Sequence, residues 1–350
     1  MRSGKRIAAA ALAVALAVGM FSGCGRIDAD AAAVTVADGE DTVTLGYANF
    51  VAKYTQAVYE TTYGSSLGED MWSRDLYGNG NTFEEDVKSD VMDSLQEQYL
   101  LVHHASDYGV ELTEEEKSAI ETAASQFLAD NTEKAIEQMG ATQEYVEQML
   151  TWQTISGRVS EAIRQQAQPT ATEEDARMRT FTYVFFNTAS ITDDNGETRA
   201  MTDEEKEEQR ELAQLLTDPA NFNLGASSVG GTMDTYSYHP GDEDETMAPE
   251  VIEAADALSE GQVSPVIEVE DQGFYVIRLD SDYDQEASAE KLESLQEEQR
   301  DDYLQTTLDG WKEETSWKVN DSQWGESYRL MVAFTAAERK NRDEIFDWDI

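Results

Sequence analysis

Few side chains in this sequence are equipped for covalent or metal chemistry. Three histidines and one cysteine occur in 350 residues. His103 and His104 are adjacent, so on a helix their rings point in different directions, and no set of metal-ligating partners accompanies them. His239 opens an acidic loop, His239-Pro-Gly-Asp-Glu-Asp-Glu245. Its carboxylates could attract a cation weakly, but their spacing does not match an EF-hand, and a solvated loop is the better account. No serine nucleophile can be grouped with a His and an Asp from these three histidines, and no Gly-rich phosphate loop is present. The residues therefore assign no metal and no cofactor. A formal net charge of −47 excludes nucleic acid as a natural ligand, because phosphates would be repelled. It suits solubility, and it suits cationic or unfolded clients.

The single cysteine excludes an intramolecular disulfide. Its position is informative. Arg2, Lys5 and Arg6 precede an apolar run, Ile7–Met20, that is short for a bilayer span. Phe21-Ser-Gly-Cys24 follows and resembles a bacterial lipobox, with Phe21 in place of the usual Leu. That resemblance implies lipidation at Cys24, removal of the preceding residues, and anchoring on the outer face of the cell membrane by two acyl chains. The alternatives are an uncleaved anchor or a plain secretory signal. Residues 25–40, small and rich in Ala and Asp, read as a flexible tether.

Length suggests two or three domains, and 40% hydrophobic residues can supply their cores. A short strand near Val43–Leu45 leads into a helix from Tyr47 to Tyr63, and Gly64–Thr82 reads as a loop. Val87, Val91, Leu95, Tyr99 and Val102 place one apolar face on a helix over Phe83–Tyr108. Thr113-Glu-Glu-Glu116 is a capping box for a helix carrying Ile120, Ala124, Phe127 and Leu128. Met149, Trp152, Ile155, Val159 and Ile163 fall at helical spacing in Thr142–Gln166, ended by Pro169. Residues 41–170 are thus a helical domain.

Residues 171–284 change pattern. Arg179–Asn187 reads as a strand. Thr202-Asp-Glu-Glu205 opens a helix. Pro249 begins another, with Val251, Ile252, Ala255 and Leu258 on one face and Gly261 past its end. Val266–Val269 and Phe274–Leu279 flank a Gly-containing turn and read as a hairpin. Strand, helices, strand and strand within about a hundred residues form a small α+β domain. Ala289–Trp311 returns to helix, Trp317–Val319 is a possible strand, and 321–350 is an aromatic-rich tail for which packing is favoured over a client-contacting arm.

The pieces Gly230-Gly231-Thr-Met-Asp-Thr-Tyr236, Met247-Ala-Pro-Glu-Val251, Gly261-Gln-Val-Ser264, Pro265-Val266 and Gly273-Phe-Tyr-Val-Ile277 resemble the parvulin family of peptidyl-prolyl cis-trans isomerases. The order of lipobox, helical region, parvulin-like domain and returning helix resembles the PrsA and SurA foldases. There the inserted isomerase domain interrupts a helical chaperone module that a C-terminal helix completes. The resemblance implies 171–284 as the inserted domain, 285–320 as the returning segment, and unfolded secreted polypeptides as partners.

An X-Pro bond rotates over a barrier of about 18–20 kcal/mol, set by amide resonance. A catalyst must hold the proline ring in an apolar pocket and stabilise the twisted amide more than the planar one. Parvulins do so with two central histidines and a Cys or Asp. By this resemblance the histidine positions fall at Tyr183 and Tyr275, and the Cys/Asp position lies within Asn223–Ala226, where neither residue type occurs. Met247, Met233 and Val251 fall at pocket positions, Val251 leaving a shallower floor than the family's Phe. Two phenols can each donate and accept, so Tyr183 and Tyr275 are either a rebuilt polar centre or core residues on neighbouring strands. The chain is expected to be an anchored foldase with isomerase activity, or a holdase on a parvulin scaffold.

Overall fold

In a computed structural model, residues 28–39, 41–68, 70–192, 196–222, 229–241 and 246–328 are described. The targeting segment with Cys24, the Asn223–Ala226 position, most of the acidic loop and residues 329–350 of the tail lie outside them. The chain divides into two compact units, one of residues 1–167 with 301–350, the other of 168–300.

The first unit combines a small sheet with helices. Strand β1 (Ala32–Val36) is followed by β2 (Asp41–Thr44) and helix α1 (Leu45–Leu67). Thr44 caps α1, accepting a bond from the Tyr47 backbone N–H at 3.3 Å. Helices α2 (Phe83–His103), α3 (Glu114–Asp130), α4 (Glu133–Met139) and α5 (Gln143–Gln166) follow. Thr82 with Glu85, and Thr113 with Glu116, close reciprocal capping boxes on α2 and α3. The sequence favours α2 through Tyr108. The helix instead stops at His103, and a short 3₁₀ turn takes Ala105–Tyr108, ended by left-handed Gly109.

Residues 25–40, expected to be a tether, hold a buried strand. Ala33, Val34 and Val36 of β1 are fully buried. Their strand lies centrally in a sheet ordered β2, β1, β9, where β9 is Trp317–Val319. The register runs Val34 to Val319 and Val36 to Trp317. This pairing across the length of the chain supplies the hydrogen bonds that local composition does not foretell. The core gathers Tyr47, Phe50, Leu95, Leu100, Met139 and Val146, with Trp324 of α10 (Asp321–Tyr328) against it.

In the second unit β3 is Arg179–Asn187, β4 Ser190–Thr192, β5 Thr198–Ala200, α6 Asp203–Leu215 and α7 Pro219–Phe222. Then come β6 (Thr232–Tyr238), α8 (Pro249–Asp256), β7 (Ile267–Val269) and β8 (Gly273–Ser281). Helix α9 (Gln285–Glu314) begins in this unit, and its residues from Asp301 onward belong to the first. The main sheet is antiparallel, ordered β6, β3, β8, β7. β7 and β8 form the expected hairpin, whose turn puts Asp271 in the left-handed region. Gly273 cannot be replaced without strain, since a Cβ there would lie 2.0 Å from the Phe186 carbonyl oxygen. The chain is α+β, as the sequence indicates.

Candidate functional site

Strand alternation sorts the second unit's side chains onto two faces. Val184, Phe186, Phe274 and Val276 pack on one face with Ala213, Leu216 and Phe222 from α6 and its neighbours. The other carries Phe181, Tyr275, Ile277, Leu279 and Tyr238, packed with Val251 and Ala255 of α8 and with Met247 before it. Tyr183 and Phe185 pack at the edge of this second cluster.

This face gathers four of the five residues that the sequence nominates for a proline site. The rings of Tyr183 and Tyr275 lie 5.9 Å apart at 49°, diagonal neighbours because Tyr275 stands opposite Phe185 in the register. The Tyr275 ring also packs on Phe185 at 4.6 Å. Its hydroxyl donates to Gln272 Oε1 at a long 3.4 Å. Val251 is fully buried, and Met247 and Tyr275 are each 8% exposed. Tyr183 is half-buried.

Met233 does not join them. It stands opposite Val184 in the β3–β6 register, which puts it on the other face, and it is 42% exposed. The period of two in a strand moved it away from the tyrosines: Asp234, not Met233, is the β6 residue opposite Tyr183.

Burial raises the pKa of both phenols. The Asp234 charge adds to the effect at Tyr183, and Tyr183 adds to it at Tyr275. Both therefore keep their protons at neutral pH. They can donate hydrogen bonds to a carbonyl but cannot serve as general bases. Among the described residues no group of three or more His, Cys, Asp or Glu side chains is gathered for a metal ion.

No family model matches the chain, and no curated protein matches it. Solved structures do. A SurA-like chaperone of Campylobacter jejuni is 12% identical over 82% of this chain and 98% of its own, with a TM-score of 0.28. The peptidylprolyl isomerase PrsA of Bacillus cereus is 17% identical over 76% and 86%, with a TM-score of 0.29. The foldase protein PrsA of Streptococcus pneumoniae is 18% identical over 74% and 98%, with a TM-score of 0.30. Likeness at these scores carries no argument about chemistry, which has to come from the residues themselves.

One group beside the tyrosine face is absent from any motif. Arg179, 7% exposed, opens β3 and lies beneath the C-terminus of α8. Its Nη1 donates to Tyr238 Oη at 3.1 Å, to the Ala255 carbonyl at 3.2 Å and to Asp256 Oδ1 at 3.3 Å. Nη2 donates to the Leu258 carbonyl at 2.8 Å. Nε lies out of line for a hydrogen bond but 3.0 Å from Asp282 Oδ1 as an ion pair. Tyr238 in turn donates to Asp256 at 2.8 Å. A cation here satisfies the orphan carbonyls that end every helix and favours the negative end of the α8 dipole. The arrangement fixes α8, and with it Val251 and Met247, against the sheet. The only sequence signal was an Arg at the start of an apolar strand, with acceptors too distant along the chain to be linked to it.

Proposed function

We propose that this chain is a lipid-anchored, extracytoplasmic foldase of the PrsA/SurA type that acts chiefly by holding unfolded secreted polypeptides. What supports a foldase is chain order. A helical module made from residues before 168 and after 300 is interrupted by a separate α+β unit, and it follows a sequence ending at Cys24 that resembles a lipobox. The single observation that favours holding over turnover is the use of the nominated pocket. Val251, Met247 and Tyr275 are core residues at 8% exposure or less, and Met233 lies on the opposite face. A proline ring needs an open apolar recess, and these side chains fill the space between sheet and α8 themselves.

The test runs a proline-limited refolding assay beside an aggregation assay on the same client, with soluble protein beginning at Gly25. A holdase suppresses aggregation in proportion to added protein and leaves the slow phase unchanged. Acceleration at substoichiometric protein overturns the reading. The second reading, a working isomerase, rests on the adjacency of the Tyr183 and Tyr275 rings and on the half-exposure of Tyr183. It requires that Tyr183→Phe or Tyr275→Phe remove any acceleration. Anchoring is checked separately: Cys24→Ser should move the protein from the membrane fraction to the soluble one.

A further inference from the structure

A second site lies in the helical unit, in the loop that enters α2. Asp75-Leu-Tyr-Gly-Asn-Gly-Asn-Thr-Phe-Glu-Glu-Asp86 wraps around its own first residue. Asp75 Oδ1 accepts from the Gly78 N–H at 2.6 Å and the Asn79 N–H at 3.2 Å, and Oδ2 accepts from the Gly80 N–H at 3.0 Å. These bonds hold the Asp75 carboxyl below the usual carboxylate range. Gly80 takes a φ of +91°, a conformation that suits glycine. At the other end Asp86, in the first turn of α2, faces back into the loop. Its Oδ1 is met by Asn79 Nδ2 and Asn81 Nδ2, each at 3.0 Å.

The observation that calls for a ligand is the other oxygen of Asp86. The residue is 9% exposed, and its Oδ2 is buried with no hydrogen-bond partner. A carboxyl oxygen without a hydrogen-bond partner is expensive to bury. Neighbouring cations are engaged elsewhere: Lys88 faces Glu84 at 2.7 Å, and Arg74 faces Asp70 at 3.9 Å.

We infer that residues 75–86 form a calcium-binding loop, with Asp75, Asn79, Asn81 and Asp86 supplying the oxygens. The spacing is that of the twelve-residue EF-hand loop. Asp75 stands at its first position, Asn79 at the fifth, Gly80 at the turning sixth, Asn81 at the seventh and Asp86 at the twelfth, with an exiting helix already begun. The amides of Asn79 and Asn81 turn their NH₂ groups to Asp86 when no cation is between them. A half-turn about the terminal torsion presents oxygen at Asn81, because the two ends of a carboxamide are nearly isosteric; the same turn at Asn79 gives up the bond that its Oδ1 accepts from the Asn81 N–H at 2.9 Å. Tyr77 and Phe83 occupy the third and ninth positions, and Asp replaces the usual Glu at the twelfth. Two carboxylates place the site at the weak end of such loops, with Kd about 10⁻⁴–10⁻³ M. Oxygen donors without nitrogen or sulfur select a hard cation, and an adaptable loop favours calcium over the strictly octahedral magnesium.

Trp72 stacks on Phe83 at 5.2 Å, and Tyr77 meets the same ring at 5.9 Å, so aromatic donors sit beside the loop. The experiment titrates Tb³⁺ into the full chain in about 0.15 M KCl, where surface charge is screened. It excites the aromatic residues and then competes with Ca²⁺ or Mg²⁺. The expected result is saturable sensitised emission, displaced by Ca²⁺ at about 10⁻⁴–10⁻³ M and far less by Mg²⁺. Asp75→Asn and Asp86→Asn should each weaken Ca²⁺ competition at least about tenfold, while Glu133→Gln, an exposed acid outside the loop, leaves it unchanged. Emission that does not saturate, displacement by Mg²⁺ as readily as by Ca²⁺, or an unaltered Asp86→Asn titration overturns the site. Should a variant fail to fold, the Ca²⁺-against-Mg²⁺ contrast in the unaltered chain still decides.

Discussion

Two buried charges, one in each unit, are treated in opposite ways. Arg179 is met by two side-chain acceptors, three carbonyls at and just after the end of α8, and an ion pair to Asp282. Asp86 has one oxygen bonded twice and the other bonded to nothing. Burying a charge is tolerable only where its hydrogen-bonding capacity is filled. The set around Arg179, in which Nε lacks a hydrogen bond but faces Asp282 as an ion pair, builds structure and needs no ligand. An incomplete set is either a standing penalty or the half of a site that a cation completes. The helical unit holds another buried charge in Lys53, whose pKa burial lowers to about 8 against the raising charges of Glu60 and Glu84.

The largest effect should come from breaking the complete set. Arg179→Ala leaves the Tyr238 hydroxyl and the carbonyls at the end of α8 without their donor, and leaves Asp256 with Tyr238 alone. Asp256 and Asp282 are half-exposed, so the loss is smaller than for a fully buried pair, about 2–4 kcal/mol. A urea midpoint for the α+β unit is the measurement. A loss under about 1 kcal/mol would show that α8 is held by Val251 and Ala255 packing alone.

Lys53 should give the next effect, and it has a sign in pH. Its pKa is about 8 in the fold against an ordinary 10.5. Between those values the unfolded chain binds more protons, so stability rises with pH, by roughly 1–3 kcal/mol in all. Below about pH 8 the penalty is present in full. Above pH 10 the trend turns over, because tyrosines ionise in the unfolded chain while Tyr99, buried and bonded to Asp41, is pushed up to about 12. Lys53→Met should flatten the rise between pH 8 and 10 in a thermal-melt series. An unchanged slope assigns the effect to another group.

Much of the scaffold was legible because its signals are local. The Thr-x-x-Glu boxes at Thr113 and Thr202 marked two helix starts. The β7–β8 hairpin lay in two β-branched runs either side of a turn. Tyr183, Tyr275, Met247 and Val251 were singled out together in the sequence and lie in or against one apolar cluster. What was hidden depends on partners far along the chain. β1 passes for a tether until β9 is placed beside it. Met233 changes face through a register set by Val184. Arg179 finds its acceptors on and after α8. Asp86 reads as one more acid in a helix's first turn until Asn79 and Asn81 fold back onto it.

Tyr238→Phe sharpens the contrast at smaller scale. It removes one donor to Asp256 and one acceptor from Arg179, but each retains the other as partner. A loss of about 1 kcal/mol is expected. A loss approaching that of Arg179→Ala would make the hydroxyl, not the guanidinium, the keystone of the set.

Tyr275→Phe should have the smallest effect of all. Its ring packs on Phe185 and contributes to the core, and the substitution keeps that ring. Its hydroxyl makes only a long bond to Gln272, so a stability change of at most about 0.5 kcal/mol is expected. A group that stabilises a developing charge distribution shows itself in a rate and not in stability. If refolding of a proline-limited client were accelerated by the parent chain and Tyr275→Phe abolished this while melting unchanged, the face would be a working centre despite its burial. If the variant matches its parent in both refolding and aggregation assays, the hydroxyl is incidental. Tyr275 then belongs with Arg179 to the architecture that fixes the sheet, not to a reacting centre.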